Sequence, residues 1–331
     1  MKEYIISKND SGQRINKFLE KAVPLLPPSM MHKYFRLKRI KVNGKRSEPA
    51  YRLNEGDLVQ LYINDEFFET PSEQEAYKKI KKPNLTIVYE DENILLADKP
   101  VGMVVHEDEK GDTNTLIANI QAYLFQSGQW SPEKENSFTP ALCNRIDRNT
   151  GGIVIAAKTS EALRILNDKI KHHELIKRYL CVVHGTPNPR KGLIESYLRR
   201  DEKRKQVFEF NKPVAGAKIA KTIYRTLSTR NRLSLVECTL LTGRTHQIRV
   251  HMSGIGCPLL GDGKYGKNEQ NKPFKENGQL LYSYQLTFWF NSDAGALQYL
   301  NGKTFSVKKI PFVDKYFSGF PIPKDSPAMP V

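Results

Sequence analysis

The sequence predicts an α+β protein built mainly on an antiparallel sheet, with a small separate module at its N-terminus. Three observations carry this. From residue 85 onward, short apolar runs bounded by turn residues outnumber the stretches with helical spacing. Residues 1–64 instead combine two helical patterns with a hairpin signal. Between them, residues 65–84 change composition: Asp65, Glu66, Glu69, Glu73 and Glu75 precede Lys78, Lys79, Lys81 and Lys82, with Pro71 and Pro83 flanking, which reads as a linker.

At 331 residues the chain is long enough to bury two cores. Its net charge of +16 points to a polyanionic partner, nucleic acid before an anionic membrane surface. The four cysteines, Cys143, Cys181, Cys238 and Cys257, form no Cys-x-x-Cys pair and sit in apolar contexts, so reduced core thiols are expected rather than a zinc site. The N-terminus lacks the apolar stretch of a signal peptide, and no run approaches the ~18 apolar residues of a spanning helix. A cytoplasmic, monomeric protein is expected.

In the first module, Arg14 to Leu26 has helical spacing through Ile15, Phe18 and Leu19. Pro27-Pro28-Ser29 breaks it, and Met31 to Leu37 continues as a second helix. Arg39 to Lys45 alternates like a strand around an Asn43-Gly44 hairpin turn, and Leu53 to Val59 gives another turn and strand. From His32 to Ser47 there are seven Lys/Arg and no Asp/Glu. A solvated basic face would explain the run, but a helix beside a basic hairpin also suits phosphate contact by Lys33, Arg36, Lys38, Arg39, Lys41 and Lys45. This stretch resembles the αL-type RNA-binding module of a small-subunit ribosomal protein and of many RNA-modifying enzymes.

The second domain, 85–331, opens with apolar strands at Leu85–Tyr89 and Ile94–Ala97, then Lys99-Pro100-Val101-Gly102. A helix is expected over Thr113–Phe125, and another from a Ser160 cap to about His172. Strands follow at Arg178–His184, Lys221–Leu227, Leu233–Leu241, Leu280–Phe290 and Phe305–Pro311, with an exposed basic hairpin over residues 199–212.

The stretch that organises this domain is Asn144-Arg145-Ile146-Asp147-Arg148-Asn149-Thr150-Gly151-Gly152, followed by the apolar run Ile153 to Ala157. It presents one carboxylate on a tight loop before a buried strand, among cations that favour its ionised form. Taken alone, a surface Asp–Arg pair explains it as well. Several common site motifs are excluded by spacing. Gly256 to Gly261 is followed by Asp262-Gly263, not by the Lys-Ser/Thr of a phosphate loop; there is no Gly-x-Gly-x-x-Gly, no zinc-protease pattern around His173-Glu174, and no Gly-x-Ser-x-Gly.

The Asp147 stretch resembles the signature of the RluA family of large-subunit-rRNA pseudouridine synthases, His-Arg-Leu-Asp-x-x-Thr-Ser-Gly, with Asn144 in place of the His and Gly151 in place of the Ser. Three further blocks resemble the same family. Lys99-Pro100-Val101-Gly102 matches its opening block, with Asp98 where the family has Asn. Lys177-Arg178-Tyr179-Leu180 matches the block with the active-site tyrosine, and Thr242 to His251 matches Thr-Gly-Arg-x-His-Gln-Ile/Leu-Arg-Val-His. The N-terminal text looks most like the RluC branch. The resemblance implies isomerisation of uridine to pseudouridine in RNA, with large-subunit rRNA as the first target and tRNA as the second, without metal or cofactor. It assigns catalysis to Asp147, Tyr179 and Arg249. Arg145 would fill the gap left by a flipped base, and Arg148 and Arg244 would contact RNA. On a helix Arg244 and Arg249 point about 140° apart, so only one can face Asp147, and by motif position the resemblance makes that one Arg249. His246 and Gln247 are expected to be supporting groups. A non-catalytic RNA-binding factor would not need all three catalytic positions. A methyltransferase or metal nuclease should show a glycine-rich loop or clustered carboxylates, and neither is visible.

Overall fold

The computed structural model describes residues 1–68, 76–107 and 111–323. It shows a mixed α+β protein with one large, mostly antiparallel sheet and a second, small one. The small sheet contains β1 (Lys2–Ile5), β2 (Ile40–Val42), β3 (Lys45–Arg46) and β4 (Leu58–Leu61), ordered β1-β4-β2-β3. Helices α1 (Ile15–Ala22) and α2 (Pro28–Arg36) pack on it through Ile15, Phe18, Leu19, Met31, Tyr34 and Phe35. α2 begins three residues earlier than expected because Pro28 fits the first helical position, where its missing N–H costs nothing. The Asn43-Gly44 turn forms as expected, both residues at positive φ.

This unit is docked by polar contacts. The fully buried Asp10 carboxylate accepts bonds from Ser7, Asn136 and Ser137. Asn9 donates to Glu135, and Arg164 donates to the Ser11 carbonyl. Of the expected linker, residues 69–75 lie outside the described ones. Its C-terminal part is not extended spacer: a 3-10 turn at Ala76–Lys79 buries Tyr77 edge-on against Phe125 and Trp130.

The large sheet holds β5 (Ile87–Glu90), β6 (Ile94–Lys99), β7 (Ala141–Leu142), β8 (Gly151–Ala157), β9 (Leu175–His184), β10 (Lys191–Asp201), β11 (Gln206–Phe210), β12 (Lys218–Arg230), β13 (Leu233–Leu240), β14 (Leu281–Phe288) and β15 (Thr304–Ser306). Its order is β11-β10-β12-β13-β9-β14-β8-β6-β5, with β15 beside β14 and β7 beside β8. The expected basic hairpin is β10–β11. The strand expected over 305–311 is shorter: β15 ends at Ser306, the Val307 N–H makes a last bond to the Tyr284 carbonyl at 2.9 Å, and Pro311 opens a helix at Pro311–Tyr316.

Strands β8 and β9 are covered on both faces, as their unbroken apolar runs require. Ile153, Ile155, Leu180 and Val182 face one core, under helix α4 (Ser160–Lys171) and the C-terminal segment. Val154 and Ala156 face a second core under α3 (Leu116–Gln126), and Tyr179, Cys181 and Val183 face a third under α5 (Gln247–Gly254). The cap of α4 is Thr159 rather than Ser160: its Oγ1 accepts the Ala162 N–H at 3.2 Å, while the Ser160 hydroxyl turns to the Asn9 carbonyl.

All pairings in the large sheet are antiparallel except β8 with β14, where Gly151 and Gly152 lie opposite Tyr282 and Ser283. A Cβ on Gly151 would sit 2.3 Å from the Tyr282 ring, and one on Gly152, at φ +110°, would sit 2.1 Å from the Ser283 carbonyl. The paired glycines therefore permit two strands to meet, beyond making a turn. Gly152→Ala is expected to destabilise the fold by about 3 kcal/mol or more, combining backbone strain with overlap. Denaturant unfolding measures this, and a midpoint equal to the parent's would refute the close-contact account.

Acid should also loosen this domain. His251 is fully buried between the Ser196 and Thr222 hydroxyls, and burial pushes its pKa down to about 4 from the ordinary 6.5. Between those values the unfolded chain binds more protons, so stability falls as pH is lowered from about 6.5 towards 4. Unfolding curves across that window should show the decline, and His251→Gln should reduce it.

Candidate active site

Asp147 lies on the loop joining β7 to β8, and several of its neighbours on that loop are tied down. The Asn144 Oδ1 accepts the Ile155 N–H at 2.8 Å, so the residue in place of the signature His holds the loop against β8. Ile146 packs against both the α3 and the α5 cores. The Thr150 N–H closes a turn on the Asp147 carbonyl at 3.0 Å. Beneath the loop, the fully buried Lys99 ammonium donates to the carbonyls of Pro100, Met103 and Arg148 at 2.7–2.9 Å. Burial holds its pKa down to about 8, partly offset by Asp147.

The other departure from the signature, Gly151, and the departure from the opening block, Asp98, meet at one residue. The Tyr282 ring occupies the space above Gly151, and its hydroxyl donates to Asp98 Oδ1 at 2.8 Å. Asp98 and Gly151 thus form one packing solution around Tyr282.

Arg249 sits on α5 and makes three directed bonds. Its Nη1 donates to Asp147 Oδ2 at 3.1 Å; its Nε and Nη2 grip Asp262 at 2.7 and 2.9 Å. Asp262 is buried and also accepts the N–H groups of Lys264 and Tyr265. Burial works against the Arg249 charge, but the bonds to Asp262 and the field of Asp147 outweigh it and raise its pKa. The guanidinium also lies 5.1 Å from the Tyr265 ring centre. Beside it, His246 Nε2 is 3.7 Å from Asp147 Oδ2, and Nδ1 shares a 2.7 Å bond with the Tyr265 hydroxyl. Burial lowers the His246 pKa to about 4, so the ring is neutral at pH 7.

Arg244 is not on the helix. α5 starts at Gln247, after His246 in left-handed backbone, so the expected 140° separation does not apply. What separates the two arginines is the loop. Gln247 Oε1 accepts the Arg244 N–H and the Thr242 hydroxyl, and its Nε2 donates to Lys221 O and Thr222 Oγ1. The Arg244 Nε donates to the Ile219 carbonyl at 3.0 Å.

Tyr179 projects from β9 on the α5 side and is 6 % exposed; burial pushes its hydroxyl up to about 12, against a bond with Ser283. Asp147, Tyr179, Arg249, Arg145 and Arg244 all line one cavity of about 800 Å³. Arg148 does not line it and stands 3.7 Å from Asp112 instead. On the N-terminal unit, Lys33, Arg36, Lys38, Arg39 and Lys45 are exposed and Lys41 partly so, along α2 and the β2–β3 hairpin. Sequence reasoning does not reach Asp262, Lys99 or Tyr265 as site residues. The run Gly261-Asp262-Gly263-Lys264-Tyr265 offers only a turn signal that could have flagged two of them.

Comparison with known proteins decides the class. A sequence model described as RNA pseudouridylate synthase matches residues 93–254. A Mycoplasma genitalium protein named as an uncharacterized RNA pseudouridine synthase is 35% identical over 295 residues, covering 86% of this chain and 88% of that protein. The chain belongs to the RNA pseudouridine synthases. It is an isomerase acting on uridines in RNA. The Escherichia coli ribosomal large subunit pseudouridine synthase C is 30% identical to the enzyme, over 92% of this chain and 90% of that one. The solved structure of human RNA pseudouridylate synthase domain containing 4 shares the fold, with a TM-score of 0.52 at 22% identity over 68% of this chain and 89% of that one. Among the described residues no helix is long and apolar enough to cross a membrane.

Proposed function

We propose that the enzyme modifies uridines of large-subunit ribosomal RNA and that Asp147 initiates the cleavage of the glycosidic bond. The observation that carries the site assignment is a single carboxylate, oriented by Arg249, in a cavity whose other charged groups are cations. Arg249 is itself fixed by Asp262, so the Asp147 geometry exists before substrate arrives. The reaction moves uracil from an N1 to a C5 linkage, with no atom gained or lost. Asp147 either attacks C1′ or removes the C2′ proton; its geometry serves both.

A paired or stacked uridine must first leave the helix. Arg145, exposed at the cavity edge, is placed to fill the space behind it. Tyr179 remains a neutral phenol at rest. It therefore packs against the detached uracil and donates a hydrogen bond, and can take the C5 proton only as its own proton moves on. The rRNA target is supported by the E. coli relative's name and by the basic face of the N-terminal unit. The test is pseudouridine mapping of rRNA and tRNA from a deletion strain, before and after adding the purified enzyme. Loss and restoration at large-subunit uridines is expected; loss confined to tRNA would overturn the target.

The N-terminal unit supplies affinity rather than chemistry in this reading. Replacing Lys33, Arg36 and Lys45 together by Gln should weaken RNA binding and flatten its salt dependence by up to about 2–3 logarithmic units per decade of salt. An unchanged slope would assign this face to another partner.

A further inference from the structure

The cavity around Asp147 is also lined by basic and polar residues outside the catalytic cluster, among them Lys171, His173, Lys177, Thr242 and Arg244. Among the residues lining the whole cavity, Asp147 is the sole carboxylate, against Arg145, Lys171, Lys177, Arg244 and Arg249. Arg249 is matched by Asp147 and Asp262, whereas among the described residues no carboxylate forms an ion pair with Lys177 or Arg244.

Lys177 is two residues before Tyr179 on β9, so the two side chains leave the same face of the strand, while Arg178 turns away to Gln285. Their backbones are about 7 Å apart, comparable to the span from a nucleotide's base to its phosphate. Burial pulls the Lys177 pKa down to about 8, and the one group acting in the opposite direction is the Cys143 thiol. That thiol is pushed up to about 12 by its own burial, so it is neutral and gives Lys177 no counter-charge. Arg244 and His173 line the same cavity as Lys177, and after burial the charges of Arg244 and Lys177 lower the His173 pKa. The Arg244 Nε is occupied by the Ile219 carbonyl, which aims the guanidinium without neutralising it. Two partly buried cations lining one cavity without an anion are unfavourable unless a ligand supplies one.

We propose that Lys177 and Arg244 form an anion subsite that takes a backbone phosphate of the RNA strand directly beside the target uridine. The proposal rests on reading this cavity as the place where Asp147 meets that uridine. The subsite holds the nucleotide by its phosphate while Tyr179, on the same strand face, meets the base. It also compensates the repulsion between the phosphate and Asp147.

Binding is measured with Asp147→Asn protein, so that no turnover intervenes. The probe is a short RNA carrying the uridine that the enzyme modifies, with each flanking phosphate in turn replaced by a neutral methylphosphonate. One replacement should weaken binding about tenfold. Lys177→Met should weaken binding of the natural RNA similarly and should no longer respond to that replacement, while Lys177→Arg should stay sensitive. Equal affinity for every neutral-linkage RNA, or full sensitivity retained in Lys177→Met, would overturn the subsite. The methylphosphonate comparison uses unaltered residue 177, so it decides even if Lys177→Met does not fold. Turnover by Asp147→Asn would instead remove the reading beneath the proposal. Loss of turnover without any methylphosphonate effect removes the subsite alone.

Discussion

Asp147→Asn is expected to abolish pseudouridine formation, by a factor on the order of 10⁴ or more, as for removal of other groups that act directly on a reacting centre. The substitution keeps the shape and the 3.1 Å approach of Arg249. It removes the negative charge and the basic oxygen. Asp147 keeps 29% side-chain exposure, and Arg249 retains its two bonds to Asp262, so the fold should tolerate the change. RNA affinity should hold or rise slightly, since a carboxylate among phosphates is removed. Single-turnover assays with excess enzyme separate binding from chemistry. Substantial residual turnover in a preparation free of parent enzyme would remove Asp147 from the reaction.

The parts of this site that are legible in sequence are those carried by local text. Asp147 is marked by a turn before an apolar strand, Tyr179 by a basic strand block, and Arg249 by a long specific run. Their convergence needs the sheet. β9 meets β13 on one side and β14 on the other, and β14 in turn meets β8 just where the Asp147 loop ends. No pattern in the chain announces the parallel β8–β14 contact; Gly151 and Gly152 read as turn formers when their larger role is to let that strand approach. Asp262 is hidden for a similar reason. It follows Arg249 by thirteen residues across an irregular loop, and a lone Asp between glycines reads as a turn until its buried partner is seen. The helical placement of Arg244 fails on one physical detail. Thr242 to Gln247 has no helix breaker except Gly243, yet the side chain of Gln247 captures the preceding backbone and delays the helix start.

Arg145→Ala and Arg249→Ala should fail in different ways, although both remove a cation from one cavity. Arg145 is exposed, and among the described residues no carboxylate is paired with it, so its loss should leave stability unchanged. If it replaces the flipped base in the stack, its value equals part of the unstacking cost, a few kcal/mol that shrinks when the target is already unpaired. Arg145→Ala should then slow a structured RNA about 10²-fold and an unpaired RNA with the same uridine by no more than about threefold. Arg249 is different because it is buried against two carboxylates. Removing it leaves Asp262 without its partner, which costs about 3–5 kcal/mol of stability, and frees Asp147 from its orienting bond. Arg249→Ala should therefore lose activity equally on both RNAs and also unfold earlier. Arg249→Lys keeps one charge but cannot span Nε and Nη2 to Asp262 and Nη1 to Asp147 together, so rescue should be partial. The measurement is single-turnover kinetics at saturating enzyme on the paired and unpaired targets, with the folded fraction of each variant fixed by circular dichroism. Equal losses for Arg145→Ala on both targets would leave it a phosphate contact. A preference of Arg249→Ala for the unpaired target would mean that Arg249, too, acts on extraction of the base rather than on Asp147.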